Sequence, residues 1–254
     1  MSDALSIVRP SRFGHGTELT TGLSTRAGGP PGSVFGMNLS FAVGDDPANV
    51  CQNRARFFGE LGIGTGELAF MQQVHGSTVT RVNAPGTYPA CDAMITDCSR
   101  LYLCVTVADC VPVFLLDRGT HALGVVHAGW RGTAAGIVPA AIDALRAAYG
   151  ALPSRIEAFI GPAAGGCCYE VGTEVAGALD PGHVTMRDGK RFADLKSVNR
   201  AQLLLAGVAA VSIEVHPACT IHEDSLYHSY RRDGHRSGRM IGVAGFSGRV
   251  DFTG

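Results

Sequence analysis

Three residues carry the chemistry most readily read from this chain: His75 in Gln-Gln-Val-His-Gly, Cys110 in Val-Ala-Asp-Cys-Val-Pro, and His127 in Val-Val-His-Ala-Gly-Trp-Arg-Gly. Each stands where a short apolar run meets a glycine- or proline-marked turn, a position from which a rigid scaffold presents reactive side chains. Two imidazoles and one thiolate suit zinc. Three protein ligands rather than four leave a tetrahedral position open, as in catalytic sites. Each residue alone also has a plainer explanation, since a buried cysteine is usually a small hydrophobe and a histidine a hydrogen-bonded structural residue. Their spacing matches no compact zinc finger and no His-x-x-x-His helix pair.

The rest of the chain must position these groups. With 254 residues, 46% hydrophobic and 17% charged, it can bury a large core without a partner, and a single catalytic domain spanning residues 1–254 is expected. A net charge of −1 supplies no basic field for nucleic acid or an anionic membrane, so charge points to a small-molecule substrate or a protein partner. The first residues lack a signal-peptide apolar core, and no run of 18 apolar residues follows, which places the protein in the cytoplasm. Eight cysteines should then be mostly reduced. Without a Cys-x-x-Cys pair, Cys51, Cys91, Cys98, Cys104 and Cys219 read as packing residues.

Apolar runs rich in β-branched residues predict strands at 101–107, 111–116, 122–126, 156–160, 211–215 and 240–243. Helical spacing predicts helices over 134–148, 196–206, 50–61 and 170–179. This mixture favours a layered α/β or α+β core. The Pro- and Gly-rich stretch 27–36 reads as a long surface loop, either a wall beside a site or simply mobile surface.

Taken in order, further motifs join these residues: Thr-Arg-Ala-Gly-Gly at 25–29, Asn38-Leu39, Val-Gly-Asp-Asp at 43–46, Cys91-Asp-Ala-Met-Ile-Thr, Ile160-Gly-Pro, Cys168-Tyr-Glu-Val-Gly and Asp194-Leu. The ordered set, from about Arg26 to Ala244, resembles the multifunctional purine nucleoside phosphorylase family, formerly labelled polyphenol oxidase or laccase-domain proteins. The resemblance implies an α+β fold, a four-layer α-β-β-α sandwich with mixed sheets, and one zinc ion per chain held by His75, Cys110 and His127. It also implies phosphorolysis of adenosine, inosine, guanosine and methylthioadenosine, with deamination of adenosine; a cell-wall editing role has been attached to some members. The stretch Pro162-Ala-Ala-Gly-Gly-Cys-Cys-Tyr-Glu departs from the family, which tends to carry a proline just before Cys-Tyr-Glu, and Gly165 and Gly166 loosen the loop.

For deamination, zinc makes hydroxide available at neutral pH by bringing the pKa of coordinated water to about 7, and hydroxide would attack purine C6. Asp109 is the candidate shuttle for the proton that must reach the leaving ammonia. That role requires residues 108–112 to leave extended geometry, because strand neighbours face opposite ways. The alternative is a carboxylate that hydrogen-bonds a metal ligand. For phosphorolysis, Arg131 before a helix and Arg26 in the first motif are candidates for the phosphate. Trp130 would stack on the purine or pack in the core. Cys168 is a further substrate-binding candidate by its motif, and Glu170 has a simple explanation as a helix cap.

Three other readings use the same residues. Cys110 and His127 without metal would make a cysteine hydrolase, and His75 tells the two apart, being needed only as a third ligand. Copper (Cu2+) suits the same donors, although the nine histidines include no His-x-His pair. A non-catalytic partner protein would use the metal structurally, and such sites ordinarily have a fourth protein ligand. Oligomeric state is left open.

Overall fold

The computed structural model describes residues 4–16 and 18–248. In chain order its elements are β1 (Ile7–Val8), β2 (Leu19–Ser24), α1 (Pro47–Glu60), β3 (Leu68–Met71), β4 (Val79–Arg81), β5 (Gly86–Tyr88), β6 (Ala93–Thr96), β7 (Tyr102–Val107), β8 (Val111–Asp117), β9 (Ala122–Ala128), α2 (Trp130–Ala134) and α3 (Ile137–Tyr149). They continue with β10 (Ile156–Ile160), β11 (Glu170–Val171), α4 (Thr173–Ala178), β12 (Val184–Arg187), β13 (Lys190–Ala193), α5 (Leu195–Leu205), β14 (Ile213–Val215), α6 (Tyr230–Asp233) and β15 (Met240–Phe246).

Two six-stranded mixed sheets form the centre. One runs β1-β2-β15-β7-β3-β5 and the other β14-β10-β8-β9-β6-β4, with a small β11-β13-β12 sheet beside them. Alternation along each strand sorts side chains into layers. In β8, Phe114 and Leu116 face the first sheet with Leu123 and Val125 of β9, while Val111, Val113 and Leu115 face α3 and α5. On the far side of the first sheet, Tyr102, Cys104, Ile241 and Val243 meet Phe57 and Phe58 of α1. The order is therefore helix, sheet, sheet, helices, the expected four-layer sandwich. Phe114 can lie flat on the opposing sheet because Gly242 has no side chain: a Cβ there would stand 2.8 Å from the ring's Cζ.

Local chemistry sets the ends of the elements. Asp46 caps α1 by accepting from the Ala48 amide, with Pro47 in the first turn, so α1 begins three residues before the expected Val50. Asp194 caps α5 through the Ser197 amide. The helix expected over 134–148 is α3, which starts three residues later, after Gly136, whose φ of 77° is a left-handed conformation that glycine tolerates; Ala134 closes the separate short helix α2. Glu170 lies in strand β11 and pairs with Lys190 at 2.9 Å, not at a helix start; α4 follows Gly172. Cys51 is exposed on α1 rather than packed, whereas Cys91, Cys104 and Cys219 are buried. None of the described helices is long and apolar enough to cross a membrane.

Candidate metal centre and substrate cavity

His75, Cys110 and His127 converge. One ligand atom from each lies within 4.8 Å of the others, and the two imidazole rings meet edge to face at 4.8 Å between centroids. His127 comes from β9, on the face directed between the sheets, and is 2% exposed. Cys110 immediately precedes β8. His75 lies in the loop between β3 and β4 and is held at φ 59°.

That loop is fastened at two places. The Gln73 side chain donates to the Thr106 carbonyl and accepts from the Thr106 amide, both at 2.8 Å, which continues the sheet edge where β3 stops. Asp92, fully buried, accepts from the amides of Val74 (3.2 Å), His75 (2.9 Å) and Gly76 (2.7 Å). The same carboxylate lies 2.8 Å from His127 Nδ1, which directs the other ring nitrogen to the cluster. Burial would raise the Asp92 carboxyl, but His127 and the Gly76 and Val74 amides outweigh it and hold it below its usual range. Asp92 lies within a quoted motif, yet its role was not legible there: an aspartate ahead of a strand reads as a turn residue, and its partners are 16–35 residues away.

Electrostatics of the metal-free cluster make a thiolate–imidazolium pair. Burial alone would push the Cys110 thiol up, but His127 and then His75 bring it down to about 6. Burial likewise works against His127, which Cys110 and Asp92 raise to about 9. A metal binds thiolate and neutral imidazole, so an ion here would take the place of the His127 proton beside a sulfur that is already ionised. Space is provided as well: a Cβ at Gly129 would stand 3.0 Å from His75 Cδ2, 3.3 Å from Cys110 Sγ and 3.7 Å from His127 Cε1. The donor set, its orientation and this space fit a zinc ion with an open coordination position. Gly129→Ala is expected to weaken metal binding at least about tenfold with little loss of fold, because the φ of −70° at this position suits alanine. Equal metal affinity for parent and variant, measured against a competing chelator, would contradict the reading.

Asp109 stands beside the cluster at φ 84°, so residues 108–110 do leave extended geometry. Its carboxylate accepts from the Thr220 hydroxyl and from the Arg231 amide, each at 2.7 Å. The carboxylate on a metal-ligand candidate is thus Asp92, while Asp109 faces a cavity of about 770 Å³ above the cluster. Tyr169, Tyr230, Arg231, His235 and Arg239 complete its walls. Arg231 lies 4.9 Å over the Tyr169 ring and Arg239 5.3 Å over that of Tyr230. Burial lowers the Arg239 guanidinium, opposed by Tyr230, Asp109 and Cys110.

The other sequence candidates are elsewhere. Arg131 projects from α2 over the Trp130 ring at 4.2 Å and reaches Glu174 at 3.6 Å, and Trp130 packs against the α3 side of the core. Arg26 lies 3.7 Å from Asp233 and lines a second cavity of about 990 Å³ together with loop 27–36, so that loop does not wall the site. Cys168 lies beside Cys167 and Cys219. The wall residues Tyr230, Arg231, His235 and Arg239 went unread because isolated arginines and tyrosines near a chain end carry no spacing signal.

A family model described as multi-copper polyphenol oxidoreductase laccase matches residues 20–247. The chain is 38% identical over 236 residues to a purine nucleoside phosphorylase of Deinococcus radiodurans, covering 91% of this chain and 90% of that one. It is 41% identical over 226 residues to one of Streptomyces griseus, covering 85% and 90%. The crystal structure of YlmD from Geobacillus stearothermophilus superposes with a TM-score of 0.90 at 32% identity, covering 98% of each chain. The chain belongs to this laccase-domain family, whose curated relatives include proteins named purine nucleoside phosphorylases.

Proposed function

We propose that this protein is a cytoplasmic, zinc-dependent purine nucleoside phosphorylase acting as one catalytic domain, with hydrolytic deamination of adenosine as a second reaction. The observation that carries the reading is the cavity itself: its floor is a three-donor cluster, its walls are two tyrosines and two arginines, and its about 770 Å³ suits a nucleoside and phosphate. His75, Cys110 and His127 would hold the ion, which when bound supplies Lewis-acid polarisation of an oxygen and activation of water.

In phosphorolysis a phosphate oxygen bonds to the ribose anomeric carbon as the bond to the purine nitrogen breaks. Arg231 and Arg239, with His235, position and neutralise the phosphate. Arg239 Nη1 donates to the Ser237 and Gly238 carbonyls, which fixes the guanidinium plane. Tyr169 and Tyr230 offer faces for the purine. In deamination Asp109 takes the proton of the attacking water and returns it to the leaving amine, and its bonds to Thr220 and Arg231 hold it in place for either reaction.

One feature also suits a metal-free cysteine hydrolase: the Cys110 thiol at about 6 beside His127 at about 9. His75 distinguishes the readings, because a dyad does not need it. Copper oxidation is disfavoured by the donors, since the only histidine-containing metal group among the described residues is this one and its three donors suit a single ion.

The phosphate assignment is tested with Arg239→Ala. Loss of charge-assisted hydrogen bonds of about 1.5–3 kcal/mol is expected to raise the KM for phosphate about 10–100-fold, with Arg239→Lys between the two. An unchanged KM for phosphate removes Arg239 from the site.

A further inference from the structure

A second cluster lies outside the cavity. Cys167, Cys168 and Cys219 bring their sulfurs within 4.8 Å of one another. Packing accounts for one buried thiol but not for three converging sulfurs, one exposed, one half-buried and one buried. The edge of a tetrahedral zinc thiolate, with Zn–S bonds of about 2.3 Å, is about 3.8 Å, so small rotamer changes would close the trio on an ion.

The surroundings fix the trio and leave it room. The Gly165 amide donates to Cys219 Sγ at 3.2 Å. Gly165 also leaves the space: a Cβ there would meet Cys167 Sγ at 3.2 Å and Cys219 Sγ at 3.4 Å. Both sulfur-bearing segments are pinned by cations. Arg187 donates to the Gly166 and Cys167 carbonyls, each at 2.9 Å. The buried Lys196 ammonium donates to the carbonyls of His216, Pro217 and Ala218 at 2.9, 3.1 and 2.8 Å. Burial raises the Cys167 and Cys168 thiols, while the Gly165 amide and its neighbours outweigh burial at Cys219 and bring it below its ordinary value, so an ion here must displace protons from the first two.

We propose that Cys167, Cys168 and Cys219 form a second metal site, which takes a thiophilic divalent ion of the zinc type with three thiolates and one water. The thiols release their protons to solvent as the ion binds. The site ties the loop that ends in Tyr169 to the segment that continues into Thr220. Tyr169 forms a wall of the substrate cavity and Thr220 holds Asp109. The ion is therefore a clamp beneath the cavity, separate from the His75, Cys110 and His127 cluster and independent of what reaction occurs there.

Cobalt(II) added to metal-free, reduced full-length protein tests this, read by equilibrium dialysis and by the sulfur-to-cobalt charge-transfer absorption. The parent is expected to take about two ions per chain. Cys167→Ser/Cys168→Ser, changed at exposed and half-buried positions to spare the fold, is expected to take about one and to lose most of the charge-transfer intensity, because three of the four ligating sulfurs lie in this trio. His75→Ala is expected to keep the three-sulfur signal and to show a rise in Tm on cobalt addition that the added double substitution removes. A parent that saturates at about one ion, a double variant that still takes two, or a trio that closes a disulfide in reducing buffer instead of binding cobalt overturns the assignment.

Discussion

Cys110→Ala is expected to lower phosphorolysis about 10³-fold, corresponding to a loss of several kcal/mol of transition-state stabilisation, and to abolish metal binding at the His75, Cys110 and His127 cluster. The sulfur is the only anionic donor of the three, and its charge would hold a dication more firmly than two imidazoles alone. The same charge makes the metal-free protein reactive. With the thiol at about 6 rather than the ordinary 9, alkylation of Cys110 by iodoacetamide should rise as the pH passes upward through about 6, because the thiolate is the nucleophile. Zinc should suppress it by occupying the sulfur. An alkylation rate at Cys110 indifferent to zinc, measured by peptide mass spectrometry, would contradict the ligand assignment, as would a Cys110→Ala protein of parental activity.

Asp92→Ala carries the second large effect, and it falls on both fold and site. The carboxylate serves three loop amides and His127. Removing it leaves buried donors without an acceptor and frees the His75 loop. A cost of about 3–5 kcal/mol is expected, or about 10 °C in Tm for a chain of this size. Metal affinity should fall about 10–100-fold even at temperatures where the variant is folded. The pH dependence has a definite sign. Because the Asp92 carboxyl is held below its unfolded value of 3.8, its contribution is complete above that value and is lost as the pH falls below it. The variant should therefore lose less stability than the parent on acidification through that window. Unchanged Tm together with unchanged metal affinity would show that Asp92 neither holds the loop nor orients His127.

The long strands were legible because β7 to β10 and β15 are buried on both faces and read as continuous β-branched runs. The strands not read are β1 to β6 and β11 to β13; β1, β4 and β5 are two or three residues long at sheet edges, and β2, β3 and β6 are four to six residues with few β-branched side chains in a row. They are defined by their partners rather than by their own pattern. The helix over 134–148 was read too long because Gly136 looked like one small residue in an apolar stripe, whereas its left-handed φ ends one helix and begins the next.

The motifs mixed two kinds of residue that sequence treats alike. Asn38 bonds the Ser40 and Arg239 amides and reaches Asp45, and Asp46 caps α1; both serve the scaffold. The three metal donors stood out by chemical type. Asp92 did not, because its role exists only once β6 lies between β4 and β9 and places the carboxylate under the His75 loop and against the His127 ring. Trp130 and Arg131 drew attention as rare or charged residues near a histidine, yet their side chains stack on each other at α2, away from the cavity that Tyr169, Tyr230 and Arg239 wall.

The most direct test of the central claim is chromatographic analysis of adenosine incubated with the protein, with and without phosphate, and with His75→Ala as the control. Metal-dependent phosphorolysis predicts adenine and ribose 1-phosphate from the parent only when phosphate is present, with inosine as the deamination product, and neither from His75→Ala. Phosphate-independent turnover that persists in His75→Ala, or no turnover of adenosine by the zinc-loaded parent, would contradict it.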